Sequence, residues 1–192
     1  MTPEGLLLVL ADPPPVFEEE FNDWYDTEHL PERQAIPGFL TARRFTSLGD
    51  GPRYAALYDL EAAGVLESDA YRAVSGENFS PWTRRTMARA HPVRLSGELC
   101  GVGVPTGDLG RLLIVTLEGS ADPEAAAAGL AASFGDHPGH LQSRVYRGLE
   151  PEPRLICVSE FVGTEVPAPD LVAFGPAARG MTLAAVYRPY RR

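Results

Sequence analysis

The feature that most limits how this chain can fold is an internal echo. Pro37-Gly38-Phe39-Leu40 returns as Pro138-Gly139-His140-Leu141, and Arg53-Tyr54-Ala55-Ala56-Leu57 returns as Arg154-Leu155-Ile156-Cys157-Val158. Both pairs lie 101 residues apart. A turn signal and a strand start sharing one offset mark a duplicated unit filling about half of the chain.

Each unit reads as strand–helix–strand–strand–helix–strand. Gly5–Leu10 is a continuous apolar run stopped by Asp12 and Pro13–Pro15, which suits a buried strand. A helix is expected over Val16–Glu32, with Glu18, Glu19 and Glu20 at its dipole-favoured start and Pro31 and Pro37-Gly38 ending it. Phe39–Ser47 alternates as a strand, Gly49-Asp50-Gly51 turns, and Arg53–Glu61 returns antiparallel. Val65–Val74 has the period of an amphipathic helix, Ser80-Pro81 opens one more helical turn, and Ala88–Val104 supplies a long strand or two. In the second unit Gly110–Leu117, Pro123–Phe134, a short helix near Asp170 and a strand over Met181–Tyr190 complete the set.

The pattern is the ferredoxin-like βαββαβ arrangement. Each unit leaves one sheet face bare, and burying the two faces against each other gives an α+β barrel with helices outside. The expected division is 1–104 and 105–192, with Gly101–Gly110 as the linker.

Composition narrows the function. The net charge of −9 lacks the basic field that nucleic acid or an anionic membrane surface requires. No stretch approaches the length of a membrane span. Cys100 and Cys157 are too few for a disulfide framework and read as buried free thiols of a cytoplasmic protein. All 17 basic residues are Arg. Without Lys there is no side-chain amine for a Schiff base and no P-loop lysine. No dinucleotide fingerprint, nucleophile elbow or metalloprotease motif occurs, and Asp136-His137-Pro138-Gly139-His140 has too few ligands for a metal site and reads as a turn.

Chemistry concentrates in Glu20–Arg33. Trp24, Tyr25, Asp26, Glu28 and His29 fall within a few residues, and regular helical spacing puts Tyr25 and Asp26 beside His29. An imidazole, a phenol and a carboxylate on one face can move protons near neutral pH. Alternatively Glu28, His29 and Arg33 simply cap a helix end.

The run Trp24–Pro31 followed by Pro37-Gly38-Phe39 resembles the EthD-type branch of the dimeric α/β-barrel superfamily, here as a fused tandem copy. The resemblance covers residues 5–95 and reaches the second unit only through the repeat. It implies a pocket between sheet and helices, and it places the family's histidine at His29. Members of that superfamily include cofactor-free oxygenases of aromatic polyketides, isomerases, cyclases, dehydratases, decarboxylases and haem enzymes.

On this basis His29, Tyr25 and Asp26 are the expected catalytic residues. Trp24, Arg43, Tyr54, Tyr58 and Trp82 are candidate substrate contacts, each with core packing or plain exposure as the competing reading. Arg43 shares a strand face with Phe39 and Phe45, where it could neutralise an enolate or carboxylate. His91 offers no case of its own. The second unit has Ala, Gly, Leu and Glu where the first has Trp, Tyr, Asp and His, so one pocket is expected. The leading expectation is cofactor-independent acid/base chemistry on an oxygenated, largely apolar metabolite such as a polyketide. Alternatives are a cofactor-free monooxygenase of a phenolic substrate, a ligand-binding barrel without turnover, and haem ligation by His29. The chain is expected to act as a monomeric pseudo-dimer or a homodimer.

Overall fold

The computed structural model describes residues 2–119, 121–150 and 152–192. Eight strands close into one antiparallel barrel: β1 (Gly5–Ala11), β2 (Arg43–Ser47), β3 (Tyr54–Leu60), β4 (Val93–Leu99), β5 (Arg111–Glu118), β6 (His140–Gly148), β7 (Arg154–Phe161) and β8 (Met181–Pro189). The order around the barrel is β1-β3-β2-β8-β5-β7-β6-β4. Each unit therefore contributes its strands in the order fourth, first, third, second, and the units meet at the β2–β8 and β4–β6 seams. This is the α+β barrel expected from the duplication.

Strand alternation divides the apolar residues into an interior and two outer layers. Inside lie Leu6, Leu8, Leu10, Phe45, Leu57, Ile114, Tyr146, Ile156 and Tyr187. The odd-numbered β1 residues Leu7, Val9 and Ala11 face outward, under Phe17, Phe21, Trp24 and Tyr25. In the second unit Leu113, Val115 and Cys157 lie under Leu130, Phe134 and Phe174. Burying each such side chain contributes about 1.5–3 kcal/mol, so the barrel interior is a packed core rather than a cavity.

Several boundaries differ from expectation. The first helix does not stop at Pro31. It runs as α1 (Glu18–Trp24), a π-helical turn (Tyr25–His29) and α2 (Leu30–Gln34). In the π turn the Leu30 N–H donates to the Tyr25 carbonyl. The wider turn falls just before Pro31, where the ladder must lose a donor in any case. The Val65–Val74 helix is a 3₁₀ turn (Ala63–Glu67) plus α3 (Asp69–Arg72). Helix α4 (Pro81–Ala90), capped by the Ser80 hydroxyl, takes residues assigned above to a strand. Alanine, methionine and arginine favour that extension, and His91 ends it in a left-handed conformation, φ 43°. The element after Asp170 is a 3₁₀ stretch (Gly175–Gly180), while α5 (Pro123–Phe134) is as expected. Cys100 is only half-buried, whereas burial pushes the Cys157 thiol up to about 12.

The linker does more than connect. At one end of the barrel, Arg144 is fully buried and pairs with Asp59 and Glu160, both at 2.6 Å. The linker residue Thr106 closes over them, its N–H donating to Asp59 (2.6 Å) and its hydroxyl to Glu160 (3.1 Å). Asp59 comes from one unit and Arg144 and Glu160 from the other, so this end is sealed by charges that neither unit holds alone.

Candidate active site

Outside the barrel wall of the first unit lies a cleft of about 380 Å³. Leu7, Val9 and Tyr58 form its floor; His29 and Arg33 come from the π turn and α2, and Met87, His91 and Arg94 from α4 and the start of β4. Its lining is mainly apolar with a few polar groups, which is the usual make-up of a small-molecule site.

His29 is held in place by packing alone. Its ring stacks on Trp24 at 4.2 Å between centroids and meets Tyr25 edge-on at 5.3 Å. Only 7% of the residue is exposed, and its Nδ1 is buried with no hydrogen-bond partner. Glu32 is the nearest carboxylate, at 4.0 Å. Burial drives the His29 pKa well below its ordinary 6.5, and the positive charges of Arg33 and Arg44 push it the same way. The imidazole is therefore neutral at pH 7 and able to accept a proton.

Tyr58 is fully buried, and among the described residues the Tyr25 phenol is the polar group beside its hydroxyl. Burial raises its pKa well above 10, and the neighbouring Tyr25 phenol adds to the shift. The group stays a protonated donor. Arg33 is anchored beneath α3 by Ser75 Oγ (3.0 Å) and the Val74 carbonyl (2.6 Å), with its guanidinium 5.1 Å from the centre of the Tyr71 ring. It places a positive charge at the cleft, partly offset by Glu32 at 3.3 Å.

Of the residues singled out from sequence, His29 and Tyr58 line this cleft; the others are placed elsewhere. Trp24 is wholly buried, donates to Thr83 Oγ1 (3.0 Å) and backs His29. Tyr25 sits in the same layer under Arg44, 4.3 Å from its guanidinium carbon. Asp26 turns away from His29 to Arg44, at 2.7 Å. Tyr54 donates to Glu18 (2.6 Å), and Trp82 packs at the edge of the outer layer. Arg43 does not join Phe45 inside the barrel; it reaches the exposed Asp108 of the linker at 3.3 Å. Sequence reasoning passed over Arg33, His91 and Arg94 as cleft residues. For Arg33 a signal existed, a cation one turn beyond His29, but it looks the same as a helix-end cap.

Among the described residues, the matching place in the second unit is filled by apolar side chains. The positions 101 residues beyond His29 and Arg33 are Leu130 and Phe134, both buried. The Phe174 ring presses on α5 so closely that a Cβ at Gly129 would lie 2.8 Å from it.

The fold and site define an α+β barrel with a pocket between sheet and helices. No protein-family model matches the sequence, and no curated protein matches it either. Among solved structures, the chain is similar over its full length to a provisionally assigned monooxygenase from Lactobacillus acidophilus, with 12% identity, TM-score 0.57 and 94% of that chain covered. It is equally similar to a provisionally assigned chlorite dismutase, with 12% identity, TM-score 0.57 and 96% of that chain covered. A haem-binding protein from Thermus thermophilus follows with 9% identity, TM-score 0.52 and 92% of that chain covered. At these identities the likeness establishes the fold. Among the described residues, no helix is long and apolar enough to cross a membrane and no cluster of three potential metal ligands occurs.

Proposed function

We propose that the cleft is an acid/base active site acting without an organic cofactor on an oxygenated, largely apolar metabolite of polyketide type. The observation that carries this is that a buried His29 imidazole, held neutral, and the Tyr58 phenol line one apolar cleft. A substrate carbonyl would accept a hydrogen bond from Tyr58 while His29 takes the adjacent C–H or O–H proton. Arg33 would stabilise the resulting enolate or phenolate electrostatically. Returning the proton elsewhere isomerises the substrate, and loss of a β-hydroxyl as water or ring closure can follow from the same anion. Loss of carbon dioxide from a β-keto acid would instead generate that anion, which a proton then quenches.

A cofactor-free monooxygenase shares that first step, with the anion then reacting with oxygen. Haem suits the site less well. A ligating histidine normally donates its second ring nitrogen to an acceptor, and among the described residues His29 Nδ1 has no hydrogen-bond partner.

The test is proton exchange in deuterium oxide with a panel of 1,3-diketones, β-keto lactones and polyphenols, read by NMR beside an oxygen electrode. Wild-type protein should catalyse exchange that the His29→Gln variant does not. Oxygen uptake would select the monooxygenase reading. Binding without exchange or oxygen uptake would overturn catalysis, and a Soret band in the purified protein would overturn the cofactor-free assignment.

A further inference from the structure

A second concavity, of about 520 Å³, lies on the outer barrel wall where β2 of one unit meets β8 of the other. It shares no residue with the cleft. Its polar side chains are Arg111, Arg188, Arg191, Thr46 and Thr164, and no carboxylate lines it.

That charge pattern runs against the rest of the chain. The protein has 26 acidic residues and a net charge of −9. Most of its other structured cations find carboxylates: Arg43, Arg44, Arg53, Arg85, Arg144 and Arg154 are all paired. Among the described residues, Arg111, Arg188 and Arg191 form no ion pair. The Arg111 guanidinium donates only to the backbone carbonyl of Gly110 (2.7 Å), leaving its Nε buried and unpartnered. Three like charges held together in one concavity repel each other, and a bound anion relieves that repulsion.

The groove is built rather than incidental. Register pairs Thr46 with Arg188 across the seam, putting the two residues side by side on the barrel wall. At the other wall the linker's end passes so close to the chain after β7 that a Cβ on Gly110 would collide with the Gly163 carbonyl oxygen. Only glycine fits there, and it sets Arg111 at the groove's edge.

We propose that this seam groove binds a small, multiply charged oxyanion, a compound carrying two or more phosphate or carboxylate groups. Guanidinium forks match the planar, bidentate geometry of such groups. The groove's volume of about 520 Å³ and its three cations favour a ligand with several charges over a single inorganic ion.

Isothermal titration calorimetry with pyrophosphate and with citrate tests this, using inorganic phosphate as the comparison. Saturable binding of pyrophosphate or citrate is expected, tighter than phosphate and weaker as sodium chloride rises. An Arg188→Gln/Arg191→Gln double variant should lose about tenfold or more in affinity, because it removes two of the three guanidinium groups. Both positions are exposed, so the variant should keep its circular dichroism spectrum and melting temperature. His29→Gln should bind the anions as wild type does. No saturable binding, or binding that the double variant leaves unchanged, would overturn the proposal.

Discussion

The His29 imidazole lies face to face on the Trp24 indole, with ring centroids 4.2 Å apart and planes 25° apart. The two residues are five apart, a separation that a π turn brings onto one face and a regular α-helix does not. This single wide turn orients the candidate base, and Trp24 in turn is fixed by Thr83, which also donates to Glu28 at 2.9 Å.

Replacing His29 should therefore separate chemistry from folding. His29→Gln keeps much of the buried volume, and deuterium exchange into a responsive substrate should fall about 10²-fold or more, the usual scale for a general base. Its circular dichroism spectrum should match wild type. Retained exchange in a folded variant would remove His29 from the chemistry.

Tyr58→Phe gives an unusual combination. The hydroxyl is buried, and among the described residues only the Tyr25 phenol stands beside it, so removing it forfeits little hydrogen bonding. The variant should melt at the same temperature or higher, while turnover drops about 10²-fold through loss of the oxyanion donor. Thermal melts and exchange rates on one preparation check both arms.

Acid should affect stability through His29. Its pKa is depressed in the folded state and near 6.5 when unfolded, so between those values the unfolded chain binds the extra proton. The stabilising contribution is complete above pH 6.5 and is lost as pH falls through the folded value. Urea midpoints measured across that window should decline more for wild type than for His29→Gln. The acid limb of kcat/KM should likewise lie below pH 6.5.

The charged seal of the barrel end makes a prediction independent of catalysis. Arg144→Met leaves Asp59 and Glu160 buried without their cation, which should destabilise the fold by about 3–5 kcal/mol. Adding Asp59→Asn and Glu160→Gln should recover part of that loss. Equal urea midpoints for Arg144→Met and wild type would mean the seal contributes no stability.

The barrel was legible because duplication and strand alternation are long-range patterns that tolerate local error. The site was less so. Regular helical spacing placed Asp26 beside His29, but the π turn changes the register and Arg44 takes the carboxylate. Arg44 itself was visible only as the residue opposite Arg43 on a strand; its role depends on Asn22, Asp26 and Tyr190 arriving from distant segments. Tyr54 and Tyr58 share a face, yet Glu18 takes one hydroxyl while the other stands beside the Tyr25 phenol. His91 enters the cleft because α4 runs on to Ala90, past Ala88, where the sequence reading starts the next strand.

The central claim is a neutral, unpartnered imidazole at His29, and a ¹⁵N-histidine NMR titration of the folded protein tests it most directly. The prediction is a His29 signal that stays neutral at pH 6.5 and titrates well below it, while His29→Gln removes that signal and no other. A His29 that titrates at or above 6.5 would contradict the claim, because burial without a hydrogen-bond partner must disfavour the charged ring.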